Sequence, residues 1–146
     1  MTAARLLTIG YEGRSAQQLL DDLAHAGATV VVDVRQTPAS RMAGMSKRRL
    51  SDALVAAGIS YVHMPELGNP RENREALHIG GPAARARYLD RLYTPEGEAA
   101  VRRVIDLASA GTAVLLCLER EPDNCHRRIV ADEARRIQPG LEVVDL

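Results

Sequence analysis

The sequence predicts an α/β fold: a parallel or mostly parallel sheet of about five strands, with helices on both faces, in a single domain over residues 1–146. Three observations carry that prediction. Short β-branched or aliphatic runs alternate with amphipathic segments along the chain, the order expected of strand–helix–strand units. The run Thr29-Val30-Val31-Val32-Asp33-Val34 is apolar at nearly every position, as in a strand covered on both faces; a strand with one wet face would alternate. Glycine, proline and capping residues fall at the junctions between these segments.

Arg5 to Ile9 is the first strand and ends at Gly10, with Gly10 to Arg14 as a loop. Ser15 and Gln18 have the spacing of a capping box, each side chain bonding the other's backbone N–H. The helix that follows carries Leu19, Leu20 and Leu23 on one face and stops at Gly27. After the second strand, Arg35 to Met45 is a loop, and Ser46 is expected to cap a second helix with Leu50, Ala53, Leu54 and Ala57 inward. Ile59 to Val62 is the third strand. From Met64 to Gly81 the periodicity is interrupted by Pro65, Gly68, Pro70, Gly80 and Gly81, and the stretch is expected to be a long loop, of the kind that is functional or mobile. A helix is expected from about Pro82 to Leu92. Thr94-Pro95 starts another, with proline in its first turn, which turns Val101, Val104, Ile105 and Ala108 inward and ends near Gly111. Ala113 to Leu118 is the fourth strand, Ile129 to Ile137 lies in a last helix, and Leu141 to Val144 is the fifth strand.

Composition narrows the function classes. The apolar share of 46% and charged share of 26% are those of an ordinary globular protein. Tyrosine, present four times, is the only aromatic, so the core must be built largely from Ala, Val, Leu and Ile. A formal net charge of zero gives no overall attraction to nucleic acid or to a membrane surface. No stretch approaches the ~20 apolar residues that span a bilayer. Two cysteines without a signal sequence point to a reducing, cytoplasmic setting rather than a disulfide scaffold.

The chemistry concentrates at Cys125-His126-Arg127. These residues follow the fourth strand and a short polar loop, and they open the last helix. Asp123 or Asn124 can cap that helix, and its remaining N–H groups and dipole favour an anion, either a thiolate or a bound phosphate. A cysteine there should ionise more readily than its usual pKa of about 8.5. Arg127 and Arg128 supply groups able to hold a carboxylate or phosphate. In open parallel sheets ligands bind beyond the carboxyl ends of the strands. The segments leaving those ends bring Tyr11, Glu12, Asp33, Arg35, His63 and Glu66 to the same edge, together with Cys117 and Glu119. Cys125, His126, Glu66 and Asp33 are the candidate catalytic groups. Arg127, Arg35, Arg41, Tyr11, Glu119 and Cys117 are the candidate ligand contacts. Plainer roles exist for several: an Asp33–Arg35 ion pair tying loops down, or Cys117 as a small buried residue. Between Arg35 and Arg49 there are five cations and no acid, three of them (Lys47 to Arg49) in a helical first turn where the dipole disfavours them.

Read together, these blocks resemble the family labelled domain of unknown function 488 along nearly the whole chain. The matching pieces are Thr8-Ile9-Gly10-Tyr11-Glu12, Val32-Asp33-Val34-Arg35 with Pro38 and Ser40-Arg41, and Gly58 to His63. They continue with Glu66-Leu67-Gly68, Leu115 to Glu119 and Cys125-His126-Arg127. The resemblance implies an α/β domain and no settled activity. The expectation is an enzyme with Cys125 as nucleophile or redox thiol, acting on a phosphate-bearing small molecule or nucleic acid, with no cofactor, no membrane partner and no stated oligomer. Neither cysteine begins the Cys-x5-Arg pattern of cysteine phosphatases, since position 123 is Asp and position 131 is Ala. One alternative is a recognition module that binds the anion without turnover, for which four tyrosines offer little base stacking. Another is a metal site from Cys117, Cys125, His126 and perhaps His63, at a spacing unlike any standard zinc pattern.

Overall fold

The computed structural model describes residues 4–146, apart from the side chain of Asn124. Five strands, β1 (Arg5–Gly10), β2 (Val30–Asp33), β3 (Ser60–His63), β4 (Thr112–Cys117) and β5 (Glu142–Asp145), form one sheet in the order β3-β2-β4-β1-β5. Every pairing is parallel. Six helices connect them: α1 (Ala16–His25), α2 (Lys47–Ala56), α3 (Arg71–His78), α4 (Pro82–Leu92), α5 (Pro95–Ala110) and α6 (His126–Ile137).

Successive strand side chains point to opposite faces, and the core divides accordingly. Leu7, Ile9, Val31, Val114 and Leu116 pack with Leu19 and Leu23 of α1 and Leu50 and Leu54 of α2. Leu6, Val30, Val32, Ala113 and Leu115 pack on the other face against α4, α5 and α6, with Tyr88, Val104 and Val130 among their partners. This double cover is the reason β2 and β4 read as unbroken apolar runs. The capping box forms as expected: Ser15 Oγ accepts from Gln18 N at 3.1 Å and Gln18 Oε1 accepts from Ser15 N at 2.8 Å. Thr94 Oγ1 caps α5 by accepting from Gly97 N at 3.1 Å.

Two local expectations are corrected. Ser46 stands at the N-cap of α2 but makes no cap bond; its hydroxyl accepts from Ser40 N and donates to Ser40 O, so it folds the preceding loop back instead. The stretch from Met64 to Gly81 is not a structureless loop. It holds a single 3-10 turn, Pro65–Leu67, and the two-turn helix α3. An amide rather than an apolar stripe anchors α3. Asn73 is buried, donates to Asn69 Oδ1 at 3.0 Å and to the Ala84 carbonyl at 2.9 Å, and accepts from Arg87 Nε at 3.0 Å.

The strand order places a crevice. The chain leaving β1 passes β4 to reach β2, whereas the chain leaving β4 passes β1 to reach β5. The two connections run in opposite directions across the β1–β4 pair and on opposite faces of it, α1 on one and α6 on the other. Such a divergence leaves an opening beyond the carboxyl ends of the two strands.

Candidate functional site

At that opening Gly10 of β1 lies opposite Cys117 of β4. The chain after each strand is drawn inward: Tyr11 N donates to the Cys117 carbonyl at 3.1 Å and Glu12 N to the Leu118 carbonyl at 2.9 Å. Glu12 returns the contact by accepting from Arg120 N at 3.2 Å. A side chain at position 10 would not permit this, since a Cβ there would sit 1.7 Å from the Glu119 carbonyl oxygen. Beyond Glu119 the chain makes a 3-10 turn, Pro122–Asn124, and Cys125 becomes the N-cap residue of α6 without a side-chain cap bond. The cap therefore falls on the cysteine rather than on Asp123 or Asn124, and the helix starts at His126.

This turn folds Cys125 back onto Cys117. The two sulfurs come within bonding distance, so the pair can close as a disulfide. A strand end and a helix start joined by one tight turn bring the two cysteines together. Both are buried, and both line a cavity of about 120 Å³ whose other walls include Arg35, Asn69, Arg74, Glu119 and His126. Cys125 also borders a second hollow, between Gly81, Arg85, Asp123 and Arg128.

His126 is held from both sides. Its Nε2 lies 2.7 Å from the Val34 carbonyl. A carbonyl oxygen only accepts, so Nε2 carries the proton and Nδ1 keeps a free lone pair, 3.7 Å from Cys125 Sγ. Tyr88 packs edge-on against the ring at 5.4 Å between centroids. Burial lowers the His126 pKa to about 4, outweighing the bond to Val34, which raises it. The imidazole is thus neutral through the ordinary pH range.

Two buried arginines flank the site. Arg35 meets Asp33 through two parallel bonds, Nε to Oδ1 at 2.9 Å and Nη2 to Oδ2 at 2.7 Å, and Nη1 donates to the Met45 carbonyl at 2.7 Å. Its guanidinium stands 5.3 Å over the Tyr11 ring. Burial alone would weaken the charge on Arg35, but the hydrogen bonds and charge of Asp33 raise its pKa above the usual value. Tyr61 completes the corner by donating to Asp33 Oδ2 at 2.5 Å; burial and the carboxylate raise the phenol's pKa. Arg127 is wholly buried. Its Nη1 donates to Cys117 Sγ at 3.2 Å and to the Glu119 carbonyl, and Nη2 donates to the Arg120 carbonyl at 3.0 Å, while Nε has no partner among the described residues. Burial lowers its pKa against the pull of Glu119 and Asp145.

The candidates from sequence therefore separate. Cys117, Cys125, His126, Glu119, Arg35 and Tyr11 border one cavity. Asp33 lies behind it, fully buried and committed to Arg35 and Tyr61. Arg127 is spent on the chain's own carbonyls and on Cys117. Glu66 is exposed on the 3-10 turn and Arg41 is exposed on the loop before α2, and neither lines the cavity. His63 Nε2 donates to the Arg35 carbonyl at 2.8 Å, apart from the cysteines. Asn69 and Leu77 are cavity residues that periodicity could not single out; the Gly68-Asn69-Pro70 break was the available signal. Gly68 lets this segment close on the site, for a Cβ there would lie 2.4 Å from Gln36 Cα.

Against known proteins, the family model described as "Domain of unknown function DUF488" matches residues 15–134. The chain belongs to the DUF488 family. The match runs from the cap of α1 into α6 and so contains both cysteines and His126. No curated protein and no solved structure matches the chain. Among the described residues, no helix of this DUF488 protein is long and apolar enough to cross a membrane.

Proposed function

We propose that this DUF488 protein is a cytoplasmic enzyme that works by thiol–disulfide exchange at Cys117 and Cys125. The observation that carries the reading is the pairing of the two sulfurs at a cavity wall, with the buried Arg127 donating to one of them. A substrate thiolate attacks Sγ of Cys125, the cysteine that borders two openings. The Sγ–Sγ bond breaks and Cys117 leaves as a thiolate beside the Arg127 guanidinium, which favours it as a leaving group. A second substrate thiolate then attacks the substrate sulfur of the mixed disulfide. Two substrate thiols leave as one disulfide, and their two protons remain on the cysteines. In reducing compartments, disulfides are commonly transient and catalytic or redox-sensing, which suits such a pair.

The test is the thiol content of the protein equilibrated in redox buffers of a low-molecular-weight thiol. The expected result is reversible two-electron cycling, with Cys117→Ser accumulating a mixed disulfide at Cys125. A pair that does not re-form after reduction overturns the reading.

A second reading has a specific observation behind it. Arg74 borders the cavity beside Arg35 and is exposed, so a phosphate-bearing small molecule or a nucleic-acid phosphate has a cation to meet while reduced Cys125 acts as nucleophile. Protection of Cys125 from alkylation by inorganic phosphate, lost in Arg74→Ala, is its expected signature. Protection without turnover of any phosphate ester would favour a binding module.

A further inference from the structure

The geometry points to a metal site in the reduced protein: Cys117 Sγ, Cys125 Sγ and His126 Nδ1 together hold one thiophilic divalent cation of the zinc class. The inference rests on the reading that both cysteines exist as thiols. The three donor atoms lie within 4.8 Å of one another, and ligands about 2.0–2.3 Å from one tetrahedral centre stand roughly 3.3–3.8 Å apart. With both thiols reduced, binding needs the sulfurs to part and the imidazole to close in by about 1 Å.

The supporting contacts are those a bound cation needs. Metal-binding histidines generally donate their other ring N–H to a carbonyl or carboxylate, which fixes the tautomer and aims the lone pair. His126 already does this through Nε2 and the Val34 carbonyl, leaving Nδ1 turned to Cys125. Two thiolates neutralise a divalent cation, and Arg127 donates to Cys117 Sγ at 3.2 Å as an outer partner of that ligand. Glu119 Oε2 lies 3.5 Å from Cys117 Sγ, on the cavity side. Two sulfurs and an imidazole suit zinc, cobalt and cadmium and reject magnesium and calcium, which take oxygen ligands. The spacing resembles no zinc knuckle because the two sulfurs come from a strand end and a helix start, 8 positions apart and joined through the Pro122–Asn124 turn. Oxidation and metal binding then exclude each other, since the bond that joins the sulfurs uses the electrons that would bind the cation.

The experiment titrates Co(II) into the full chain, reduced with a phosphine, under anaerobic conditions and in excess magnesium. One equivalent is expected to bind, with a sulfur-to-cobalt charge-transfer band and strong tetrahedral visible bands, and zinc displaces it. The oxidised protein should give no bands. Cys117→Ser, close in volume, should weaken binding at least about tenfold and lower the charge-transfer intensity. His126→Gln, whose amide can keep the bond to Val34, should weaken it similarly; the serine variant decides the matter if the glutamine variant does not fold. Reduced protein with both thiols titratable that binds no cobalt, or binding that survives Cys117→Ser unchanged, overturns the inference while leaving the exchange reading standing. Tight cobalt binding by a pair that never re-forms its disulfide does the opposite.

Discussion

Two buried guanidiniums stand at the same sheet edge, and they are served in different ways. Arg35 has a carboxylate in bidentate contact, a backbone carbonyl and an aromatic face. Arg127 has, among the described residues, no carboxylate within ion-pair distance; two carbonyls and a sulfur surround it, and Nε bonds nothing. A buried cation without its counter-charge is costly. The corner built on Arg35 is electrically closed and has the character of a brace. The corner built on Arg127 lacks one negative charge, and reduction of the adjacent disulfide to a Cys117 thiolate would supply it. The difference separates scaffold from reactive centre more sharply than burial does.

The contrast can be broken in several ways. Asp33→Ala leaves Arg35 buried and uncompensated, with an expected loss of about 3–5 kcal/mol in urea unfolding. Arg127→Met, which removes a charge that has no carboxylate partner, is expected to lose only about 1 kcal/mol in the oxidised protein. Equal losses would erase the distinction. Gly10→Ala forces a methyl into the Glu119 carbonyl, and about 3 kcal/mol of destabilisation is expected from such overpacking; a smaller loss would mean the loop after β4 yields easily.

The pH dependence probes the same corner. His126 has a folded pKa of about 4 against about 6.5 unfolded. Between those values the unfolded chain binds the extra proton, so stability is full above pH 6.5 and falls by about 3 kcal/mol as pH drops to 4. Chelator-treated, oxidised protein unfolded by urea across that range should show this slope, and His126→Gln should flatten it. The smallest effect is kinetic. In the reduced protein, Arg127→Met should slow alkylation of Cys117 at neutral pH about tenfold, while Asp33→Asn leaves that rate unchanged; an unchanged rate in the arginine variant would detach Arg127 from the thiol.

Much of the scaffold was legible because the signals were local. Val30 to Val32 and Ala113 to Leu116 announce doubly covered strands, and Ser15 with Gln18 announces a helix start from four residues alone. Helix α3 escaped because its inward positions are Asn73 and Leu77, and an amide that bonds Asn69 and Ala84 looks polar to any test of periodicity. Ser46 escaped for the converse reason: the residue type was right, but Ser40 took its hydroxyl. At the site, the sheet rule brought Cys117, Glu119, Cys125 and His126 to one edge correctly. It could not tell that the Arg127 fork turns inward onto carbonyls seven and eight residues earlier, or that the 3-10 turn would close one sulfur on the other.

The position of β4 has a consequence for how the chain is made. Among the described residues, β1 pairs only with β4 and β5, and β2 reaches β1 only through β4. A growing chain that stops before Thr112 can pair β2 with β3 but leaves β1 without any strand to join. The first strand must therefore wait, its Leu6, Leu7 and Ile9 uncovered by a sheet, until more than a hundred residues have followed it. Folding of this topology is a late, non-local closure, and the strand that performs it is the one that ends in Cys117. The reactive corner is assembled in the same event that completes the sheet, so an incomplete chain carries neither.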